Sequence, residues 1–164
     1  MDMTFENIVL VVGGVLTALH AGLLYDFSVD IVPALRSIRG TAHILMMQAI
    51  NVKIENPVFF LSFFGPIILL PLAALLHWGE PQFAWLLAAS VIQIFGCEGV
   101  TVAGNIPLNN KLAKIDVNQL SDTEADRIRK EFQGPGTPWM RFHAIRTLAA
   151  ITVTTMLFVV CLSK

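Results

Sequence analysis

The sequence predicts an all-α integral membrane protein, a four-helix transmembrane bundle, on two observations. Hydrophobic residues make up 55% of the 164 and charged residues only 14%, with a mean hydropathy of +0.67; soluble domains carry roughly 25% charged residues. Four segments reach the roughly 20 mainly apolar residues that a bilayer core requires, at about 5–33, 58–78, 83–103 and 139–162. At this length one domain over residues 1–164 is expected.

The first span begins at Phe5. No Lys or Arg occurs before Arg36, so the basic start of a secretory signal is missing, and the apolar run is too long for one. We therefore expect a retained helix. Between the first two spans, Leu35 to Asn56 mixes polar and apolar residues at helical spacing, which predicts a helix at the membrane interface. Between the third and fourth, Asn105 to Pro138 is the one soluble-looking stretch. There Ser121-Asp122-Thr123-Glu124 carries a capping signature for a short cytoplasmic helix reaching about Phe132. Gly134-Pro135-Gly136-Thr137-Pro138 ends it before Trp139.

Charge sets the orientation. Arg36, Arg39, Lys53, Lys111, Lys114, Arg127, Arg129, Lys130, Arg141 and Arg146 all fall in the first and third loops or their helix ends, and Lys164 alone on the other side. The positive-inside bias predicts cytoplasmic first and third loops and non-cytoplasmic termini. A formal charge of -1 gives no reason to expect nucleic acid. Cys97 and Cys161 lie in apolar runs without metal-type spacing, as packed or lipid-facing thiols do.

Polar groups inside lipid are costly, which makes them candidates for function. Here they gather toward the cytoplasmic ends: Tyr25, Asp26, Ser28, Asp30 and Arg36; Asn105 and Asn109; His143 and Arg146. Trp139, His143 and Arg146, spaced by four and three, share a helical face. On it a histidine can exchange protons near neutral pH and an arginine can stabilise an enolate or phenolate. The alternative is an arginine snorkelling to headgroups beside an interfacial tryptophan. Arg36, Gly40, His43, Met47 and Asn51 follow the same spacing, flanked by Gln48 and Glu55, and offer a second face to close a pocket or simply to pack.

Deeper in the bundle, His20 with Thr17 one turn before it is either a hydrogen-bonded core histidine or a haem or metal ligand. The other histidines are His43, His77 and His143, and no two share a helix. Glu98 is a buried carboxyl, either neutral or paired, that could handle protons. Gly96, Gly99 and Gly104 permit close helix packing.

Asn105-Ile-Pro-Leu-Asn-Asn-Lys-Leu112, followed by Trp139-Met-Arg-Phe-His-Ala-Ile-Arg-Thr147, resembles the anthrone oxygenase-like family. Pro33-Ala34-Leu35 and the Met-Gln-x-x-Asn of Met47 to Asn51 fit the same pattern, so the resemblance covers nearly the whole chain. Phe132 departs from it, standing where relatives often carry tryptophan. The resemblance implies a four-helix membrane protein whose relatives oxidise polycyclic anthrones to anthraquinones with molecular oxygen and without metal or flavin. Asn51, Asn105, Asn109, Trp139, His143 and Arg146 match the family's recurrent polar motif. The expectation is a cofactor-independent monooxygenase for a lipophilic aromatic or phenolic substrate, with catalytic His143 and Arg146. Asn51, Asn105, Asn109, Trp139 and Arg36 would bind that substrate. The competing expectation is a non-catalytic membrane protein or accessory subunit holding a quinone, a haem or a partner helix; a second copy or another membrane protein remains open as partner.

Overall fold

The computed structural model describes residues 4–163; Lys164, the lone basic residue expected opposite the loops, lies outside the described residues. Among the described residues six longer helices follow in order, with one 3-10 turn at Val117–Gln119 between the fourth and fifth: α1 (Phe5–Ser37), α2 (Gly40–Lys53), α3 (Pro57–Leu76), α4 (Phe83–Ala113), α5 (Asp122–Gln133) and α6 (Pro138–Leu162). Four of these, α1, α3, α4 and α6, are long and apolar enough to cross a membrane. Each of the four touches two others in a ring, α1 on α3 and α6, α4 on α3 and α6.

The outer surface is apolar. Leu19, Leu61, Ile68, Phe95, Leu148 and Phe158 are each at least 60% exposed. Side chains of this kind spread around a whole bundle suit lipid contact. Pro66 and Pro71 sit within α3, as prolines do in spans where neighbouring helices compensate for the missing backbone bond.

Two spans run longer than the sequence predicts, for one physical reason. A widened π turn at Phe27–Ile31 ends two residues before Pro33 in α1, and another at Thr101–Asn105 ends two residues before Pro107 in α4. A π turn shifts the backbone pairing to five residues, so a proline without an N–H can follow without ending the helix. The first span thus continues to Ser37 rather than Pro33, and the third to Ala113 rather than Ala103.

The Ser121 cap expected from the sequence forms, and Asn56 supplies a second cap not anticipated from it. The Ser121 hydroxyl accepts from the Glu124 N–H at 3.2 Å, and the Asn56 side chain accepts from Val58 and Phe59 N–H at 3.1 and 3.0 Å.

Helices α2 and α5 pack together over one end of the ring. Gly40 donates its N–H to Asp126 Oδ1 at 2.9 Å, and a Cβ on Gly40 would fall on the backbone of Ala125 and Asp126. Gln48 Nε2 donates to the carbonyls of Leu112 and Ile115 at 3.0 and 2.9 Å, covering the C-terminal end of α4. Beneath them Val32, Leu35, Ile44, Met47 and Leu112 form a core separate from that of Leu10, Leu70, Leu86 and Leu157 at the far end.

Candidate functional site

Helices α3 and α4 meet closely near their shared turn and have few contacts along the π segments of α4. A cavity of about 290 Å³ fills the region toward α2, near the lower bound of small-molecule sites at ~300 Å³. Phe59, Phe60, Phe63 and Phe64 of α3 form one wall, and Met47, Ile50 and Asn51 of α2 close it. Phe60, Phe64, Val102 and Ile106 line it while remaining 40–56% exposed, so the mouth lies between α3 and α4 on the apolar flank.

The polar lining comes from α4 and α6, from His20 of α1, and from Asn51 of α2 with Glu55 just beyond that helix. Trp139 borders the cavity, and its Nε1 donates to Asn109 Oδ1 at 2.7 Å. Asn105, fully buried, donates Nδ2 to the Trp139 carbonyl at 3.0 Å and does not line the cavity. His143 stacks on Trp139 with ring centres 5.0 Å apart. The Arg146 guanidinium carbon lies 5.8 Å from the Trp139 ring centre, within cation–π range. The face expected of these three residues is therefore present, and the turns of α6 account for it.

Arg146 reaches the cavity wall with neutral partners only. Its Nε and Nη2 lie 3.3 and 3.2 Å from His143 Nδ1, and Nη1 donates to Thr101 Oγ1 at 3.4 Å. No carboxylate forms an ion pair with it among the described residues. Because a guanidinium only donates, His143 Nδ1 must accept. The neutral ring then carries its proton on Nε2, which donates to Ser28 Oγ at 2.8 Å, and that hydroxyl donates to the Leu24 carbonyl at 3.0 Å. Both nitrogens of His143 are thus engaged, and His143 does not border the cavity.

The expected polar cluster is only partly assembled. Ser28 joins it, whereas Tyr25, Asp26 and Asp30 are exposed. Arg36 is drawn into the loop layer, where Nε donates to the Gln133 carbonyl at 2.7 Å and its own carbonyl accepts from Arg129. His43 also stays in that layer; its Nδ1 lies 3.1 Å from the Leu35 carbonyl, and burial lowers its pKa from the ordinary 6.5. Phe132 lies 5.7 Å from the Trp139 ring. Asn51 lines the cavity, and its buried Nδ2 has no hydrogen-bond partner among the described residues.

Two features were not anticipated. The aromatic wall of α3 is spaced as Phe59-Phe60-x-x-Phe63-Phe64, a helical face that a uniformly apolar span hides. The second is a buried trio of His20, Cys97 and Glu98, whose ligand-type atoms lie within 4.8 Å of one another. Burial of Cys97 and Glu98, adjacent in sequence, follows from the π segment Ile92–Gly99, which also lets Gln93 Nε2 donate to Glu98 Oε1, five residues on, at 2.9 Å. In chemical type the trio suits a borderline metal ion, although His20 turns a different nitrogen to each neighbour: Nδ1 to Glu98 Oε1 and Nε2 to Cys97 Sγ, each at 3.9 Å. The four histidines have separate partners, His77 bonding Ala73 at the far end of α3.

Gly104 and Gly96 provide close approach to α6, as expected. A Cβ on Gly104 would lie 2.5 Å from the Phe142 ring, and one on Gly96 3.1 Å from Ala149 Cβ. Gly99 meets only the Ile94 carbonyl of its own helix.

No curated protein and no solved structure matches the chain. The family model for anthrone oxygenase matches residues 59–156, which include the aromatic wall, Asn105, Asn109, Trp139, His143 and Arg146, but not His20, Arg36 or Asn51. With more than half of its length matched, the chain belongs to the anthrone oxygenase family.

Proposed function

We propose that this protein is a membrane monooxygenase that oxidises a flat, lipophilic phenolic substrate of the anthrone type with molecular oxygen, without metal or flavin. The observation that carries the reading is Arg146, the one cation among the described residues on the wall of a mainly apolar cavity whose other polar lining is Glu55, His20, Thr101 and three asparagines, held by neutral hydrogen-bond partners alone. In a low-dielectric site such a charge favours an anion, and an ionised anthrone is the species electron-rich enough to react with oxygen. Trp139 stacks on the substrate, and Asn51 Nδ2 and Asn109 approach its oxygen atoms. His143 fixes the guanidinium, Asn105 fixes Trp139, and Arg36 acts at a distance by holding the loop layer. The exposed mouth between α3 and α4 suits entry from the bilayer.

The test is oxygen uptake by the detergent-purified protein with an anthrone under air. One oxygen consumed per quinone formed, faster than the spontaneous reaction and unaffected by chelators, is the expected result. Tight quinone binding without turnover would instead support the non-catalytic holder, and a Soret band or stoichiometric metal would overturn the cofactor-free chemistry.

We also assign the α2–α5 end to the cytoplasm, because the basic loop residues collect there. A periplasm-type reporter fused after Lys164 should be active, and a cytoplasmic reporter silent; the reverse pattern would invert the orientation.

A further inference from the structure

The proposed oxygenation needs a proton acceptor, and His143 is poorly disposed to be one: its Nδ1 lone pair points to a guanidinium and its Nε2 is engaged by Ser28. His20 is differently placed. It borders the cavity, is 2% exposed, and stacks on Phe63 of the aromatic wall at 5.3 Å. Nδ1 lies 3.4 Å from the Ser62 carbonyl oxygen and 3.9 Å from Glu98 Oε1. A carbonyl and a carboxyl on that side favour a proton on Nδ1, which leaves Nε2 as the basic nitrogen. The Cys97 thiol, a weak donor, lies 3.9 Å from Nε2 and engages it less firmly than a hydroxyl or amide would.

Glu98 completes the arrangement. It is 4% exposed, Oε1 accepts from Gln93 at 2.9 Å, and Oε2 has no hydrogen-bond partner among the described residues. A buried carboxyl satisfied on one oxygen alone calls for a proton or a cation, and the imidazolium that forms on His20 is the nearest one. The positive charge of Arg146 on α6 also acts on His20 and opposes an imidazolium until a substrate anion neutralises it, while α3 faces the ring with phenylalanines and a backbone carbonyl.

We propose that His20, backed by Glu98, is the proton-accepting group of the oxygenation described above, an inference that rests on that reading. His20 Nε2 takes a proton from the acidic methylene or its enol, the C–H or O–H bond breaking with its electron pair left on the substrate. Arg146 holds the resulting anion and Glu98 the imidazolium. Oxygen accepts electrons from the anion and forms the C–O bond of a hydroperoxide, which regains the proton from His20. Loss of water then leaves the quinone carbonyl, so one oxygen molecule and one methylene give one carbonyl and one water.

The experiment uses the full-length protein with 1,8-dihydroxyanthrone. His20→Gln should lower kcat about 100-fold near neutral pH, at the lower bound for general base catalysis, and Glu98→Gln about tenfold as a positioning change. Quinone affinity, read from tryptophan fluorescence, should stay within about threefold, which shows that the cavity survives. Two further readouts separate a base from a packing residue. The His20→Gln deficit should shrink as pH rises past the substrate's own ionisation, because a pre-ionised substrate needs no base, and added imidazole should restore turnover to His20→Ala.

A wild-type rate retained within threefold by His20→Gln, or a deficit that neither pH nor imidazole relieves, overturns the assignment. Stoichiometric metal lost together in the His20→Gln and Cys97→Ala proteins overturns it too, in favour of a metal centre. A wild-type protein that turns over no anthrone refutes the oxygenase reading itself, and this inference with it; that outcome is distinct from a variant that fails while the wild type works.

Discussion

Replacing Arg146 with glutamine should lower the kcat of anthrone oxidation by about 10²–10³, the cost of removing one preorganised oxyanion donor, equivalent to ~3–4 kcal/mol. The protein should remain folded, for a specific reason. Removing one member of a buried ion pair strands a charge and is strongly destabilising, but the partners of Arg146 are the His143 ring and the Thr101 hydroxyl, both neutral acceptors. Thr101 keeps its own bond to the Cys97 carbonyl at 2.8 Å, and His143 keeps Ser28.

Arg146→Lys should fall between, at roughly a tenfold loss. It retains the charge but not the planar fork that spans His143 and Thr101 while facing the cavity. Stopped-flow absorbance of the quinone measures the rates, with a thermal melt run in parallel. An Arg146→Gln protein as active as wild type would remove the anion-stabilising role. An inactive protein with a large fall in Tm would reassign Arg146 to structure.

The spans were legible because hydropathy is a property of composition over twenty residues, whereas their ends depended on Pro33 and Pro107. Locally, each proline is a stop signal. What removes the stop is a π turn just before it, and no residue type in Phe27–Ile31 or Thr101–Asn105 announces one. The widening at Phe27–Ile31 turns Ser28 toward His143, and a third π segment at Ile92–Gly99 buries Cys97 beside Glu98, so these hidden parts of the site depend on a change of helical pitch.

The Trp139, His143 and Arg146 face was readable because α6 is regular through those turns. Arg36 shows the opposite case. Its grouping with His43 and Asn51 assumed one helix, but Ile38 is extended, at φ -97° and ψ 166°, and the break directs Arg36 to Gln133 instead of the cavity. Asn51, beyond the break, does reach the cavity. The aromatic wall escaped notice because periodicity marks a buried face only where polar residues mark the other. Lipid allows apolar residues on both faces of α3.

Gly40→Ala should destabilise the protein by about 2–4 kcal/mol, although the same change in an ordinary helix is favourable by roughly 1 kcal/mol. The sign is decided by what the new methyl meets. At Gly40 it falls on the backbone of Ala125 and Asp126, which cannot yield as a flexible side chain does, so α2 and α5 must separate. Overpacking of this kind costs about 1–3 kcal/mol. Separation also weakens the bond from Gly40 N–H to the Asp126 carboxylate, of a type worth ~1.5–3 kcal/mol. For a chain of this size the fall in Tm should be about 5–10 °C.

Gly22→Ala is the control, since a Cβ there meets nothing within 4 Å. Its Tm should be unchanged or slightly higher. Because α2 carries Met47, Ile50 and Asn51 onto the cavity, Gly40→Ala should also weaken quinone binding without touching the ligand, and Gly22→Ala should not. Equal melting of the Gly40→Ala and wild-type proteins would mean that α2 is not seated on α5, and that the closed end of the cavity is open.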